Sequence, residues 1–307
     1  MKIKANGISI EVDDSGADKS DKTRPAVLLI MGLGMQLVAW PDDLLRSLRD
    51  AGYRVIRFDN RDVGLSQHFD ALGTPNLPWQ FVRLKLGLAP HAPYRLADMA
   101  FDAIGVLDAL KVARAHVVGV SMGGMIAQRI ALAAPGRVQS LASIMSSSGA
   151  RGLPQAAREV NRMLLARPKS SSRDDVADHY VRLFKMIGSP GFPEPDAAVR
   201  EHALLAFDRS YHPAGTLRQL AAIIADTTRA RELARIACPT LVLHGRADPL
   251  VPYAHGEDTA RRIAGAKLVG IDGMGHDLAP GVFERLLPPL LAHLAAARSP
   301  QPAPTTP

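Results

Sequence analysis

Apolar positions along this chain fall into two kinds of run. Short continuous runs such as "AVLLIM" (Ala26 to Met31), "AHVVGV" (Ala115 to Val120) and "PTLVLHG" (Pro239 to Gly245) are those of strands buried on both faces. Between them lie longer stretches of helical spacing, among them "RLADMAFDAIGVLDALKV", "MGGMIAQRIALAAP" and "YAHGEDTARRIAGA". The opening "IKANGISIEVDD" alternates instead and predicts an edge hairpin or strand. "GLGMQLVAWPDDLLRSLRDAG" predicts a helix that stops at Gly52, and "YRVIRFD" the next strand. "NRDVGLSQHF" then reads as a loop, followed by a Pro/Gly-interrupted stretch to Tyr94. "RVQSLASIM" and "KLVGIDG" add two strands, and "VFERLLPPLLAHLAAA" a last helix.

Strands that alternate with helices predict an α/β fold: a mostly parallel sheet covered by helices on both faces. The alternation breaks once. Residues 149–230 show only helical periodicity and breakers such as "GSPGFPEPD". The expected organisation is therefore a core of residues 1–148 and 231–296, a helical lid or cap at 149–230, and a disordered C-terminal tail at 297–307. The Pro-rich "RSPQPAPTTP" is too poor in apolar residues to pack.

The 307 residues, 47% apolar and 22% charged, can bury a large core. No run of about eighteen uninterrupted apolar residues occurs, so no membrane span is expected. The N-terminus lacks the apolar segment of a secretory signal. Cys238 is the only cysteine, which excludes an intrachain disulfide and fits a cytoplasmic setting. Before Pro239, at the start of a strand, it reads as a small buried hydrophobe. The net charge of +7 invites a nucleic-acid reading. The basic residues are scattered beside acidic ones, as in "RARELAR", with no interleaved stacking aromatics, so a mixed solvated surface is expected and no nucleic-acid partner.

One junction carries chemistry. Gly119-Val-Ser121-Met-Gly123 lies between a predicted strand and a predicted helix. A G-x-S-x-G pentapeptide is weak alone, and Ser121 could simply cap the helix. In this context it fits a nucleophile elbow, in which the serine takes strained backbone angles above the carboxyl edge of a sheet. Gly119 and Gly123 let strand and helix approach. A serine hydroxyl needs a base, and the base an orienting acid. Asp248 stands just past the strand of "LVLHGRADPLVP", and His276 just past that of "KLVGIDGMGHDLAP". The order Ser, Asp, His is the one expected for this elbow. Asp272 and Asp277 flank His276 as alternative orienters, but Asp248 is preferred because it follows its own strand and sits in a Pro-punctuated loop; "SSSGARGLP", after the preceding strand, holds no carboxylate. His244, at a strand end, reads as structural.

A tetrahedral oxyanion needs donors. The expected pair is the main-chain N–H of Met122, next to the serine, and that of Leu33 in "GLGMQ" after the early strand. Gly32 and Gly34 would let that backbone approach a substrate. G-L-G-M-Q-L is also two-thirds of a dinucleotide fingerprint, but Leu37 fills the third glycine position. No Walker lysine or paired Cys/His spacing follows, so neither a cofactor nor a metal is expected.

The elements "MGLG", "FDNRDVGLS", "GVSMGGMIAQ", "HGRADPLVP" and "GMGHDLAP" together resemble the α/β-hydrolase family, particularly small bacterial carboxylesterases and aclacinomycin-type methylesterases. The resemblance covers about residues 24–148 and 235–295. It implies a serine esterase, with Arg61 and Asp62 buttressing the loops near the site. The chain departs from many relatives in having Met31-Gly32 where they carry His-Gly; the donor there is a main-chain group, so the chemistry survives the change. In the lid, Met163, Leu183, Phe184, Met186 and Phe207 are candidate lining residues, with Phe184 and Phe207 the pocket candidates.

The expected function is cleavage of small-molecule carboxylic esters through an acyl-enzyme, with a homodimer as the assembly to test. Dehalogenases and epoxide hydrolases of this fold carry Asp at the elbow, against Ser121. Carbon–carbon bond hydrolases, cofactor-free perhydrolases and a ligand receptor on the same fold remain alternatives.

Overall fold

The computed structural model describes residues 1–17 and 23–297. Eight strands form one sheet: β1 (Lys2–Ala5), β2 (Ile8–Asp14), β3 (Ala26–Ile30), β4 (Arg54–Phe58), β5 (Ala115–Val120), β6 (Val138–Ile144), β7 (Thr240–Gly245) and β8 (Lys267–Ile271). Their spatial order is β1-β2-β4-β3-β5-β6-β7-β8. The β1–β2 hairpin is antiparallel and joins β4 antiparallel; every later pairing is parallel. The fold is that of an α/β hydrolase, a helix-flanked sheet with a lid-like helical insertion.

Two cores follow from the two-residue period of a strand. In β3, Ala26, Leu28 and Ile30 enter one core while Val27 and Leu29 enter the other. β5 divides likewise, with Ala115 and Val117 on one face and Val118 and Val120 on the other. Helices α3 (Leu96–Ala109) and α4 (Met122–Ala133) cover the first face. Helices α1 (Asp42–Asp50) and α11 (Pro280–Ala296) cover the second, α11 through Val282, Leu286, Leu290 and Leu294 at helical spacing. Helix α10 (Ala254–Arg262) joins β7 to β8.

Two local expectations differ from what forms. The helix expected from Gly32 onward begins only at Asp42; residues 32–41 make a loop with tight turns at Leu33–Gly34 and Leu37–Ala39. Pro41 stands just before Asp42, where its missing N–H costs no helical bond. The interrupted stretch before Tyr94 contains a helix, α2 (Leu77–Lys85), capped by the Asn76 side chain, which accepts from the Trp79 N–H at 3.1 Å. The tail expected from residue 297 onward lies outside the described residues except for Ala297, the C-cap of α11.

Between β6 and β7 lie α5 (Arg158–Leu165), α6 (Arg173–Ile187), α7 (Asp196–Arg209), α8 (Pro213–Ala225) and the short α9 (Arg229–Glu232). Buried charge fastens this insertion to the loop after β4. Arg218 of α8 and Asp62, both essentially inaccessible, form a two-bonded pair with both distances 2.8 Å. Asp62 has the left-handed φ of +70°, and Gly215 sits so close that a Cβ there would lie 2.0 Å from the Asp62 carbonyl oxygen. Burial opposes ionisation of Asp62, but Arg218, the Phe69 N–H and Tyr94 outweigh it and hold the carboxyl below its usual range. Arg61 turns the other way, to Asp102 of α3 at 2.6 and 2.7 Å, its guanidinium also facing the rings of Phe69 and Tyr94. Cys238 is half-buried against the core, where burial pushes its thiol pKa up.

Removing one member of a buried pair strands the other charge. Arg218→Met should therefore cost about 3–5 kcal/mol in denaturant unfolding, and Asp62→Asn/Arg218→Met should recover most of it. Because the folded pKa of Asp62 is lowered, its contribution is complete above the ordinary carboxylate range, about pH 4, and lost as pH falls through the lower folded value. Unfolding measured across acid pH should show that loss in the wild type and not in the double variant.

Candidate active site

Ser121 ends β5 and opens α4 with φ +54° and ψ −119°, a conformation that β-carbon-bearing residues avoid. Its N–H donates to the Ile144 carbonyl at 2.9 Å, and its carbonyl accepts from the Ser146 hydroxyl at 2.7 Å. The two glycines have steric reasons. A Cβ on Gly119 would lie 2.2 Å from the Gly123 carbonyl oxygen, and one on Gly123 2.0 Å from that of Ile30. Gly32 faces the serine: its Cβ would stand 3.3 Å from Ser121 Cβ. The serine side chain makes no helix cap, which removes the simple capping reading.

The hydroxyl turns instead to His276. Ser121 Oγ lies 3.0 Å from His276 Nε2, and His276 Nδ1 lies 2.7 Å from Asp248 Oδ2. A carboxylate only accepts, so the Nδ1–H donates to it and the Nε2 lone pair is left to face the serine. The other carboxylate oxygen, Oδ1, accepts from the N–H groups of Leu250 and Val251 at 2.9 and 2.8 Å. Asp248 and His276 are both buried. His244 supports the acid loop from β7: its Nε2–H donates to the Val251 carbonyl at 2.7 Å, and burial pushes its pKa down against the opposing pull of that bond and of Asp248.

The two alternative acids lie elsewhere. Asp272 is 93% exposed and faces Arg246. Asp277 accepts from the Ser189 hydroxyl and N–H at 2.5 and 2.9 Å, tying the end of α6 to the histidine loop. The His276 N–H reinforces the tie by donating to the Ile187 carbonyl at 2.7 Å.

Among the described residues, neither the Leu33 nor the Met122 N–H donates to another protein group, so both are free for a ligand. Gly34, with φ +68°, points its N–H away, to Gln219 Oε1 at 2.9 Å. The Gln219 amide in turn donates to the Arg61 carbonyl at 2.8 Å. Gln36 bridges from the same loop to α7, donating to the Ala206 and Ser210 carbonyls, both at 2.7 Å. Arg209 joins Gln36 to buried Asp59, both at 2.6 Å. Neither glutamine nor Arg209 stands out in sequence; each has an ordinary side chain whose importance depends on a partner more than one hundred residues away.

The pocket candidates sit in the insertion. Phe184 of α6 is half-buried and stacks near Tyr180, just before the turn that meets the His276 loop. Phe207 of α7 is half-buried beside Tyr211, close to the Gln36 bridge. Met163 and Leu183 are half-buried, and Met186 is exposed.

Away from these residues, His68, Asp70 and His212 bring ligand-type atoms within 4.8 Å of one another. The two imidazoles are stacked 3.8 Å apart and nearly parallel, so one ion cannot lie in both ring planes. Asp70 already faces His212 at 2.8 Å and Arg218 at 3.1 Å. The group is a polar bridge between the loop after β4 and the insertion.

Comparison with known proteins places the chain in a family with this fold. The family model described as alpha/beta hydrolase fold matches residues 25–189, and one described as TAP-like protein matches residues 222–282. The chain is 32% identical over 299 residues to the rhodomycin D methylesterase DauP of Streptomyces sp. (strain C5), covering 90% of this chain and 93% of that protein. It is 30% identical over 299 residues to the rhodomycin D methylesterase DnrP of Streptomyces peucetius, with the same coverage of each. Among solved structures, the enol-lactonase from Burkholderia xenovorans LB400 superposes with a TM-score of 0.70 at 21% identity, over 96% of this chain and all of the other.

The close approaches at the elbow generate a stability test. Gly123→Ala drives a Cβ into main chain that cannot yield, and should cost about 1–3 kcal/mol or more in denaturant unfolding. Gly136→Ala, where a Cβ would meet nothing within 4 Å, should change stability little. Equal stability of the two variants would contradict the packing described at the elbow.

Proposed function

As the chain belongs to the alpha/beta hydrolase fold family, we propose that it is a serine hydrolase that cleaves carboxylic esters of small molecules through an acyl-enzyme, with compact alcohols as leaving groups. The observation that carries this reading is the unbroken relay from Ser121 Oγ to His276 to Asp248, at 3.0 and 2.7 Å, set on a strained turn. The preference for compact alcohols draws support from the two methylesterases that share about nine-tenths of the chain.

In this mechanism the Ser121 oxygen attacks the ester carbonyl while His276 Nε2 takes the hydroxyl proton. The carbonyl oxygen becomes an oxyanion and accepts from the Leu33 and Met122 N–H groups. Collapse expels the alkoxide, which takes the proton from His276 and leaves as the alcohol. Water then gives a proton to His276 and attacks the acyl carbon. Collapse returns that proton to Ser121, and the carboxylic acid departs. Asp248 keeps the Nδ1–H of His276 directed at itself and stabilises the imidazolium formed in both halves. Gln219 and Gln36 are positioning residues: they fix the loop that offers the Leu33 N–H.

Ser121→Ala should lower kcat by roughly 10³-fold or more on nitrophenyl esters, with unfolding unchanged. A fluorophosphonate should label the wild type at Ser121 alone. Asp248→Asn should cost on the order of 10²–10⁴-fold in kcat, whereas Asp272→Asn should be nearly silent. Full activity in the alanine variant, or labelling at another residue, would overturn the mechanism.

The insertion is proposed to set substrate size. Phe184→Ala and Phe207→Ala should shift kcat/KM along a series of graded acyl lengths, each apolar group being worth about 1–3 kcal/mol. Ser121 labelling by a small phosphonate should hold. A uniform loss on every ester would make these rings part of the stability of the insertion instead.

A further inference from the structure

Helix α2 is apolar on both sides and covered on only one. Leu77 and Gln80 are buried, and Leu77 packs with Ala221 and Ile224 of α8. The other side presents Trp79 (51% exposed), Val82 and Leu86 (66% exposed) at helical spacing, with Leu88 after them and Leu72 ahead, while Phe81, one turn after Leu77, is exposed at the margin of the covered side. Six of the twelve large apolar side chains exposed among the described residues thus fall between Leu72 and Leu88. A patch of this density is not the scattered apolar exposure of an ordinary surface.

The charge around it is equally one-sided. Residues 71–97 contain no Asp or Glu, but they contain Arg83, Lys85 and Arg95. None of the three side chains forms an ion pair with a carboxylate among the described residues: the Arg83 guanidinium donates only to the Ala89 carbonyl, and it is the Arg95 main-chain N–H that holds Asp98, at 2.7 Å. On the insertion, by contrast, exposed arginines do find acids, Arg173 with Asp208 and Arg200 with Asp174 and Asp178. An exposed helix with Trp, Val and Leu outward and cations at its C-terminal end complements a surface that is apolar just below a negative layer.

We infer that the α2 segment docks this protein on an anionic lipid surface. Trp79, Val82 and Leu86 enter the boundary between headgroups and acyl chains, while Arg83, Lys85 and Arg95 face lipid phosphates. The contact is peripheral: among the described residues no helix is long and apolar enough to cross a membrane. Through Leu77 the docked helix rests on α8, whose Gln219 holds Gly34, so the docking face is one helix removed from the candidate active site. The inference does not rest on the ester reading.

The test is co-sedimentation of the full chain with vesicles of phosphatidylcholine alone and of equal parts phosphatidylcholine and phosphatidylglycerol. The mixed vesicles should carry the protein down, added salt should release it, and Trp79 emission should shift to the blue while buried Trp40 contributes a constant background. Trp79→Ser/Leu86→Ser and Arg83→Glu/Lys85→Glu should each weaken binding about tenfold or more. Both should keep the wild-type thermal unfolding curve and wild-type turnover of a soluble nitrophenyl ester. Ser121→Ala should bind like the wild type, which separates this docking from the proposed catalysis. The inference is overturned if the mixed vesicles do not bind the chain, if phosphatidylcholine alone binds it equally, or if both double variants bind unchanged. It is also overturned if the wild type is a dimer in solution that Trp79→Ser/Leu86→Ser converts to a monomer, because the patch would then be an interface between copies.

Discussion

The turn at Ser121 is the constraint around which the molecule is arranged. A non-glycine residue at φ +54° costs on the order of 1–3 kcal/mol, and it persists only where its surroundings leave no alternative. Those surroundings are main-chain atoms at contact: the Gly123 carbonyl against Gly119, and the Ile30 carbonyl against Gly123. Strand β3, strand β5 and helix α4 are therefore locked at separations only glycine permits. The result is a hydroxyl raised off the sheet edge toward the end of β8, where His276 waits, and beside Gly32 at the end of β3. The parallel pairing sets Ile30 of β3 opposite Gly119 of β5 and Val120 opposite Ile144 of β6, so these carboxyl ends lie side by side.

The insertion is held by the same edge. Three loops around the site have polar ties to it: the loop after β3 through Gly34 to Gln219 and Gln36 to α7, the His276 loop to Ile187 and Ser189, and the loop after β4 through Asp62 to Arg218. Buried ion pairs contribute little net stability against a well-packed apolar alternative, but they are intolerant of misplacement, because a shifted partner leaves a desolvated charge. Polar ties of this kind specify one docking position for the lid-like helices. A cover held this way can shape the space above the serine without being part of the sheet that positions the chemistry.

Elements set by local pattern were the most legible. Every predicted strand forms, because an apolar run or an alternating run has only one buried arrangement in a layered fold. The helix expected from Gly32 was too long, since the glycines and Pro41 favour a loop that tertiary contacts with Gln219 and Asp59 complete. Helix α2 was hidden because prolines and glycines flank it and its apolar residues point both ways, so no single face repeats.

The sequence by itself determined the alternation of strands and helices, the place where it is interrupted, the G-x-S-x-G junction, and an acid and a histidine after the last two strands. These depend on neighbours in the chain, where pattern and steric need act over a few residues. The sequence favoured Asp248 by its place after a strand, but only the tertiary structure decided that Asp272 and Asp277 face elsewhere, that Ser121 turns to the imidazole and not to its own helix, and that Gln219, Gln36 and Arg209 brace the loop after β3. Those outcomes rest on hydrogen bonds between residues tens to more than one hundred positions apart. Each is fixed by where a carboxylate or amide can find its partner once water is excluded, a condition that no local stretch of sequence contains.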